Sequence, residues 1–389
     1  MDLRYSESDE AFRAELREWL AVTLPQLPPE PPRDDWPARV VYDTDWQKRL
    51  FDAGYAGMSW PKEYGGRDAP PSEQLIFLEE CSKAKAPYVG VNFVGTLHAG
   101  PTLIAEGTEE QKARHIPRIL RGEEVWCQCF SEPEAGSDLA ALTTRAVRDG
   151  DHYVVTGRKI WSSFAQVGEF GELLARTDPH APKHRGISWF ILPMNLPGIE
   201  VRPIDTVLGS SEFCEVFLDD VRVPAENLVG KENDGWRVTQ VTLSFERGTA
   251  FVSEMVDAMR MAEELAPMVH DPVERRELGH VIAEFDALWA LTKRNVSRAA
   301  NKGDTGLGGM IMKLAYSEAR DRLCELSMRV LDRGAFDIHD PYVEERLRTL
   351  SLTIAAGTSQ IQRNILGERV LGLPRERPWP LDGESGGAR

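Results

Sequence analysis

The chain has 389 residues, of which 42% are hydrophobic and 28% are charged, and its formal net charge is −16. This composition is that of an ordinary globular protein, and the length is enough for two or three packed units. A strongly acidic chain is a poor candidate for nucleic-acid binding, which needs clustered lysine and arginine against phosphates. No apolar run approaches the length that crosses a bilayer, so we expect no membrane insertion.

Cysteine usage and the N-terminus indicate the compartment. The five cysteines are scattered and odd in number, which argues against a disulfide framework and is typical of a reducing environment. The N-terminal residues MDLRYSESDE are polar and acidic, and they lack the basic and apolar blocks of a signal peptide. We therefore expect a cytoplasmic protein. The eight histidines show no metal-ligand spacing, so no metal site is predicted.

Residues 1–125 are predicted to form a helical domain. Ser6 and Asp9 have the spacing of a capping pair, and apolar residues recur behind them at helical spacing. The proline-rich segment 24–37 is predicted to be an extended connection, because proline fixes φ and has no N–H to donate. Further helices are predicted at 45–53, 72–83 and 108–120.

The pattern changes to short β-rich runs between residues 126 and 234. An Arg-Asp-Gly-Asp turn at 148–151 separates two of these runs and predicts a hairpin. Helical periodicity returns over 235–375, and the Pro- and Gly-rich residues 376–389 are predicted to be a loose tail. The predicted fold class is therefore α+β with several domains: an N-terminal helical domain, a middle antiparallel β sandwich or barrel, and a C-terminal helical bundle.

Several common catalytic motifs are absent from the sequence. It contains no GxGxxG after a strand, no P-loop, no HExxH and no GxSxG elbow. If the chain is an oxidoreductase, its nucleotide is therefore not held by a Rossmann unit.

Four segments resemble the acyl-CoA dehydrogenase family, and they follow the family's order. Residues 128–138 (QCFSEPEAGSD) resemble its signature, and 157–163 (GRKIWSS) resemble its second flavin-contacting strand. Residues 356–364 (AGTSQIQRN) resemble its C-terminal flavin segment, and 60–66 (WPKEYGG) a loop of its N-terminal domain. The resemblance covers almost the whole chain. It implies FAD-dependent oxidation of an acyl-CoA thioester to the 2-enoyl-CoA, by α-proton removal and β-hydride transfer to flavin N5.

The resemblance also implies which residues contact FAD and the substrate. An isoalloxazine ring needs an aromatic or apolar face and hydrogen-bonding groups at its edge. Trp161 suits the face, and Gly136 permits close backbone approach. The implied FAD contacts are Cys129, Phe130, Ser131, Gly136, Ser137, Trp161, Ser162, Ser163, Thr358 and Gln360, and the implied substrate contacts are Ser137, Arg247, Ala356 and Gly357. Taken singly, Ser131 and Ser163 could equally be strand surface, and Trp161 could be sandwich core.

The catalytic base departs from the commonest family pattern. Many members carry a Glu immediately before the Gly-Thr of the C-terminal segment, where this chain has Ala356. In the isovaleryl-CoA and long-chain branches, the Glu comes instead from a C-terminal-domain helix, immediately before an Arg. The similar run LSFERG at 243–248 makes Glu246 the predicted base. The backbone N–H of Ala356 is then predicted to polarise the thioester carbonyl. Without the resemblance, Glu246 and Arg247 would be interpreted as a solvated ion pair.

Two family features that hold the adenosine end of FAD are missing. The chain has no Arg-x-x-Phe-Gly segment, and Arg329 and Arg333 stand where a Gln followed by Leu-Gly-Gly is common. Three functions stay open: a dehydrogenase that reduces an electron-transferring flavoprotein, a partner subunit of a heteromeric dehydrogenase with an incomplete flavin site, and a flavin monooxygenase. Glu246 favours the first. We expect a homo- or hetero-oligomer, either a dimer or a tetramer, and the acyl-chain specificity is not predicted.

Overall fold

A computed structural model of the chain describes residues 4–246, 251–302 and 308–375. Its N-terminal part contains the helices α1 (Glu7–Thr23), α2 (Trp36–Asp52), α3 (Pro71–Lys83), α4 (Gly100–Glu106) and α5 (Glu109–Leu120). A π-helical turn, Gly95–Ala99, leads into α4. The predicted capping pair is confirmed, because the Ser6 hydroxyl accepts from the Asp9 N–H while the Asp9 carboxylate accepts from the Ser6 N–H.

Helix α2 begins at Trp36, well before the predicted start at residue 45. Asp35 caps it by accepting from the Ala38 N–H at 3.1 Å, and Pro37 occupies the first turn. Proline is tolerated there because first-turn N–H groups have no intrahelical partner. The predicted extended connection was therefore wrong at its C-terminal end. It was also wrong at its beginning, where Leu24–Gln26 forms a 3-10 turn.

Residues 126–229, all of them described, form a single sheet. Its strands are β1 (Trp126–Cys129), β2 (Arg145–Asp149), β3 (His152–Ser163), β4 (Phe170–Arg176), β5 (Ile187–Pro193), β6 (Ile199–Ile204), β7 (Phe213–Pro224) and β8 (Leu228–Val229). Their order is β6-β7-β3-β2-β4-β5-β8, with β1 also paired to β4. Most neighbours are antiparallel, as predicted, but β4 pairs in parallel with β1 and β2. The sheet is therefore mixed.

The predicted hairpin at 148–151 is confirmed. Strands β2 and β3 pair antiparallel up to Asp149 opposite His152. Gly150 has a φ of +63°, the left-handed conformation that such a turn requires. Cys127 and Cys129 are fully buried among apolar side chains of the sheet.

The C-terminal part is helical again. Its helices are α6 (Gly235–Glu246), α7 (Val252–Leu265), α8 (Pro272–Lys302), α9 (Gly308–Leu331), α10 (Pro341–Thr349) and α11 (Ser359–Ile365). Helices α7, α8 and α9 share a buried core that includes Met255, Phe285 and Leu323. The helix–sheet–helix order confirms the predicted fold class. The predicted tail, 376–389, lies outside the described residues, and within the described ranges no helix combines the length and apolarity of a membrane span.

Candidate functional site

The first predicted flavin-contacting segment leaves the end of β1 and turns back on itself. Glu132 and Ala135 exchange two backbone hydrogen bonds of 3.1 and 3.0 Å, which close the turn. Cys129 and Phe130 are buried before the turn, whereas Gly136 is exposed after it. A Cβ added at Gly136 would meet no heavy atom within 4 Å. The space outside this turn is therefore open to a ligand.

The second predicted segment is the end of β3, where a bulge interrupts the pairing with β7 between Lys159 and Ser162. Trp161 lies in this bulge with a φ of +59°, a left-handed conformation that is unfavourable for a bulky residue. Its side chain is 57% exposed and touches Phe213 edge to face, with 6.1 Å between the ring centroids. The core alternative for Trp161 is therefore excluded, because the bulge turns its ring outward.

A buried ion pair lies beneath both segments. Lys159 is fully buried, and its Nζ donates to Glu132 Oε1 at 2.9 Å and to the Phe130 carbonyl at 3.0 Å. Glu132 also accepts from the backbone N–H groups of Thr143 and Thr144, at 2.7 and 2.8 Å. Burial opposes ionisation of Glu132, but the charge of Lys159 and these hydrogen bonds hold its pKa at about 2. The pair fastens the first segment to β3.

The two segments also meet through their backbones. The Ile160 N–H donates to the Ser131 carbonyl at 2.9 Å. Ser131 and Ser163 are half-buried, so neither is plain strand surface. Ser162 is fully buried with its backbone, so its predicted contact with a cofactor stays a prediction. An outward aromatic ring beside an open glycine turn, with serines at the rim, fits a flat cofactor with a polar edge, as FAD is.

The third predicted segment is a tight turn between α10 and α11. Ala356 and Gly357 have φ angles of +52° and +85°, so two successive residues are left-handed. Lys313 Nζ donates to the Gly357 carbonyl at 2.6 Å, and Gln362 Nε2 donates to the Ala356 carbonyl at 3.1 Å. Lys313 is buried. Burial lowers the pKa of Lys313 to about 8. The nearby charge of Glu318 raises this pKa, but by less than burial lowers it.

Thr358 and Gln360 follow this turn. Thr358 is the N-cap of α11, and its hydroxyl oxygen accepts from the Ile361 N–H at 3.1 Å. The hydroxyl hydrogen can still be donated to a ligand. Gln360 and Ala356 are exposed, as is Ser137 of the first segment. Among the described residues, no hydrogen bond or ion pair joins this turn to the two sheet segments, so the predicted contacts form two separate groups.

The predicted base lies at the end of α6. Glu246 is the last residue of this helix, but its side chain and the whole of Arg247 lie outside the described residues. Helix α6 itself is held in place by contacts with α4 and β5. The Thr102 hydroxyl of α4 and the Thr242 hydroxyl are 2.9 Å apart in a buried hydrogen bond. Gly235 approaches β5 so closely that an added Cβ would lie 2.5 Å from the Ser188 carbonyl carbon.

The supporting residues were not predicted from the sequence, although a signal for them exists. Glu132 and Lys159 have opposite charges and lie inside two segments that are otherwise largely apolar or turn-forming. Lys313 interrupts the apolar run 310–316. A charged residue inside an apolar segment does not lie on a solvated face. It is therefore expected to be buried and paired with a group of opposite charge or a hydrogen-bond acceptor. Arg329, which stands where the family often has a Gln, pairs with Glu277 at 2.6 Å.

Comparisons with known protein families cover most of the chain. The model of the acyl-CoA dehydrogenase N-terminal domain matches residues 6–123, that of the middle domain matches 127–221, and that of the C-terminal domain matches 233–371. Among curated proteins, the acyl-CoA dehydrogenase IpdE1 of Mycobacterium tuberculosis is 37% identical over 383 residues, which are 94% of this chain and 98% of IpdE1. FadE34 of the same organism is 42% identical over 85% of this chain, which spans only 46% of FadE34.

Solved structures with the same fold include two that are named for a pair of components. The Tcur3481-Tcur3483 steroid ACAD superposes with a TM-score of 0.85 at 32% identity, and the match covers 97% of this chain and 100% of the compared chain. A chain of the ChsE4-ChsE5 complex from Mycobacterium tuberculosis superposes with a TM-score of 0.83, also at 32% identity and with the same coverage.

Proposed function

This chain belongs to the acyl-CoA dehydrogenase family of FAD-dependent oxidoreductases, and on that premise we propose that it oxidises the α,β bond of an acyl-CoA thioester to the 2-enoyl-CoA. The observation that carries the proposal is the outward Trp161 bulge, fastened through Lys159 and Glu132 to the open turn of the family signature. The proposed acceptor of the electrons is an electron-transferring flavoprotein, as the family resemblance implies.

The sheet segments are the proposed FAD-binding half of the site. Trp161 offers a flat face, Gly136 leaves room for the ring system, and the rim serines offer hydroxyl groups to its polar edge. When bound, FAD supplies the acceptor for the substrate's β hydride. The residues proposed to hold it are Cys129, Phe130, Ser131, Gly136, Ser137, Trp161, Ser162, Ser163, Thr358 and Gln360.

Glu246 is the proposed base that takes the α proton of the substrate. Helix α6 supports this role, because its close contacts with α4 and β5 leave it little freedom to shift. Ala356 cannot take a proton, but its backbone N–H is proposed to donate to the thioester oxygen as negative charge develops there. Ser137, Arg247 and Gly357 are the other proposed substrate contacts.

The test is anaerobic titration of the purified, flavin-loaded protein with a panel of acyl-CoA thioesters, followed by the loss of oxidised-flavin absorbance. Wild-type protein is expected to bleach with at least one of them. Glu246→Gln is expected to keep its flavin and to lose bleaching by a factor of about 10³ or more, because a general base is removed while the cofactor site is untouched. Normal bleaching by Glu246→Gln would refute the assignment.

A matched variant distinguishes loss of the base from general damage. Ala356→Glu in the Glu246→Gln background places a carboxylate where many family members carry theirs. It is expected to restore part of the bleaching, because a proton acceptor returns at the position from which many family members supply theirs. A double variant that binds flavin but stays inactive would favour another role for Glu246.

A heteromeric dehydrogenase is the second candidate, and one feature of the C-terminal group favours it. Ala356 and Gln360 are exposed in the single chain, although both are proposed to face ligands. The names of the two solved relatives each join two components, so a second subunit is proposed to cover this turn. Its test is the flavin content of the chain purified alone and after coexpression with a second acyl-CoA dehydrogenase chain. A full complement of flavin in the lone chain would exclude this candidate.

A further inference from the structure

The turn between α10 and α11 is held through its carbonyl groups. Lys313 Nζ of α9 donates to the Gly357 carbonyl at 2.6 Å, and Gln362 Nε2 of α11 donates to the Ala356 carbonyl at 3.1 Å. Lys313 and Gln362 are both buried. A Cβ added at Gly357 would lie 2.7 Å from Gln362 Nε2, so a glycine is needed for this close approach. Both carbonyls therefore point towards the interior of the protein.

The N–H groups of the same turn point the other way. In a trans peptide the C=O and the N–H have opposite directions, and the described residues contain no cis peptide. The N–H groups of Gly357 and Thr358 are therefore directed away from the two buried side chains. Among the described residues, neither these groups nor the N–H of the exposed Ala356 donates to any acceptor. The turn thus presents three successive backbone donors without an acceptor of its own.

Hydrogen bonds on both sides fix where this turn begins and ends. The Ala355 N–H donates to the Ser351 carbonyl, and the Ser359 N–H donates to the Thr353 carbonyl, both at 2.9 Å. Between them, Ala356 has a φ of +52°. A residue with a Cβ keeps this left-handed conformation only where its surroundings impose it, and such strain is concentrated at functional sites. The two buried side-chain donors supply that constraint.

We propose that Lys313 is a positioning residue of the reaction, which holds the turn in the orientation from which the Ala356 N–H donates to the thioester oxygen. This inference rests on the proposed function. The ammonium group of Lys313 is buried and directed to the Gly357 carbonyl, so it acts through the turn and not by contact with the substrate. A donor to a developing oxyanion acts in the transition state. Misplacing it therefore lowers the rate of the step more than the affinity for the substrate.

The charge of Lys313 strengthens its hold on the turn. A hydrogen bond from a charged donor is roughly twice as strong as one between neutral groups. Burial lowers the pKa of Lys313 to about 8, against the opposing charge of Glu318, which is itself paired with Arg363 of α11 at 2.6 Å. The ammonium form is therefore present at pH 7 and is lost as the pH rises to 9.5, and the hold on the turn weakens over that range.

The competing role for Lys313 is structural, as a support for the connection between α10 and α11. The two roles differ in what substitution does. A structural support changes the unfolding free energy and the flavin content, but not the rate of flavin reduction in protein that is folded and loaded with flavin and thioester. A positioning residue changes that rate, and its effect follows the protonation of the lysine.

The experiment measures the rate of anaerobic flavin bleaching in the flavin-loaded enzyme, at a saturating concentration of the panel thioester that bleaches wild type fastest. At pH 7, Lys313→Met is expected to lower this rate by about tenfold or more and to change the dissociation constant of the thioester by less than about threefold. Lys313→Arg keeps a charged donor and is expected to retain most of the rate. The control is Arg322→Met, which removes an exposed cation of the same helix, paired with Glu284, and is expected to bleach as wild type does.

A second measurement does not depend on the methionine variant. The ratio of the wild-type rate to that of Lys313→Arg is expected to fall by about fivefold between pH 7 and 9.5, because the lysine loses its charge in this range and the arginine does not. An unchanged rate in Lys313→Met, a rate in folded Lys313→Arg as low as in the methionine variant, or a constant ratio across this pH range would each overturn the inference and leave the proposed function standing. If no thioester of the panel bleaches wild-type flavin, the proposed function itself fails, and the inference with it.

Discussion

The two halves of the candidate site are built in different ways. The sheet half is fastened by a fully buried lysine that is paired with a buried carboxylate and a backbone carbonyl. The half between α10 and α11 is held by a buried lysine that reaches one backbone carbonyl, and its proposed ligand contacts Ala356 and Gln360 are exposed. The sheet half is therefore fixed by a buried ion pair, whereas the other half is fixed by hydrogen bonds to its backbone carbonyls.

The same contrast is visible in the backbone. Each half contains a predicted contact residue with a left-handed backbone, Trp161 in the sheet and Ala356 in the turn. In the sheet, the flanking strand pairs impose the conformation on Trp161. In the turn, side-chain donors from α9 and α11 hold the neighbouring carbonyls. The two halves are expected to respond differently when their lysines are removed.

The largest effect is expected for Lys159→Met. Removing one partner of a buried ion pair leaves Glu132 as an uncompensated charge, which costs about 3–5 kcal/mol of unfolding free energy. The variant should also lose flavin, because the signature turn is no longer held against β3. Urea unfolding followed by tryptophan fluorescence measures the first effect, and flavin absorbance after gel filtration measures the second.

The control for this variant is Lys48→Met, because Lys48 forms an exposed pair with Asp52. Its loss should change the unfolding free energy by less than about 1 kcal/mol. If Lys159→Met were as stable as Lys48→Met, the sheet half would not depend on the buried pair, and the contrast between the two halves would be wrong.

An intermediate effect that depends on pH is expected for Lys313→Met. The pKa of Lys313 is about 8 in the folded protein, below the usual value of an unfolded lysine, so the unfolded chain binds more protons between these two values. Wild-type stability should therefore rise with pH relative to the variant, by about 2 kcal/mol between pH 7.5 and 9.5. Denaturation midpoints of both proteins at the two pH values measure this difference, and parallel midpoints would contradict the expectation.

The smallest effect on folding is expected when glycine replaces each left-handed residue. Trp161→Gly and Ala356→Gly both relieve an unfavourable φ, so each should change the unfolding free energy by less than about 1 kcal/mol. Only Trp161→Gly removes a proposed flavin contact, so it alone should weaken flavin binding, by about tenfold or more. Equal flavin affinities, measured by equilibrium dialysis, would remove Trp161 from the site.

The sequence was most informative where a local pattern determines a local structure. The capping pair at Ser6 and the turn at Gly150 follow from hydrogen bonding and φ preference within a few residues, and both were confirmed. Helix α2 was placed too late, because prolines that exclude a helix interior are tolerated in its first turn. The signal for the true start, Asp35 as N-cap with Pro37 in the first turn, is local, but the prediction assigned it to the proline-rich connection.

The sequence predicted only those site residues that lie within the recognised motifs. Trp161 was predicted as a flavin contact and stays a prediction, but neither its bulge nor its exposure follows from strand alternation. The partner of Lys159 is 27 positions away in the sequence, and that of Lys313 is 44 positions away. A periodic pattern of residues therefore does not predict these contacts. Glu246 and Arg247 stay predictions, since the side chain of one and the whole of the other lie outside the described residues. The tertiary contacts, not the motifs, distinguish the two halves.

The contact of Gly235 with β5 has a consequence for how this site tolerates sequence change. The backbone of Gly235 packs directly against the backbone of β5. No side chain lies between them, so substitutions of core side chains do not change the spacing between α6 and the sheet. The sheet therefore fixes the position of helix α6. Substitution can therefore change the side chains around α6 while the distance between the helix and the sheet stays the same.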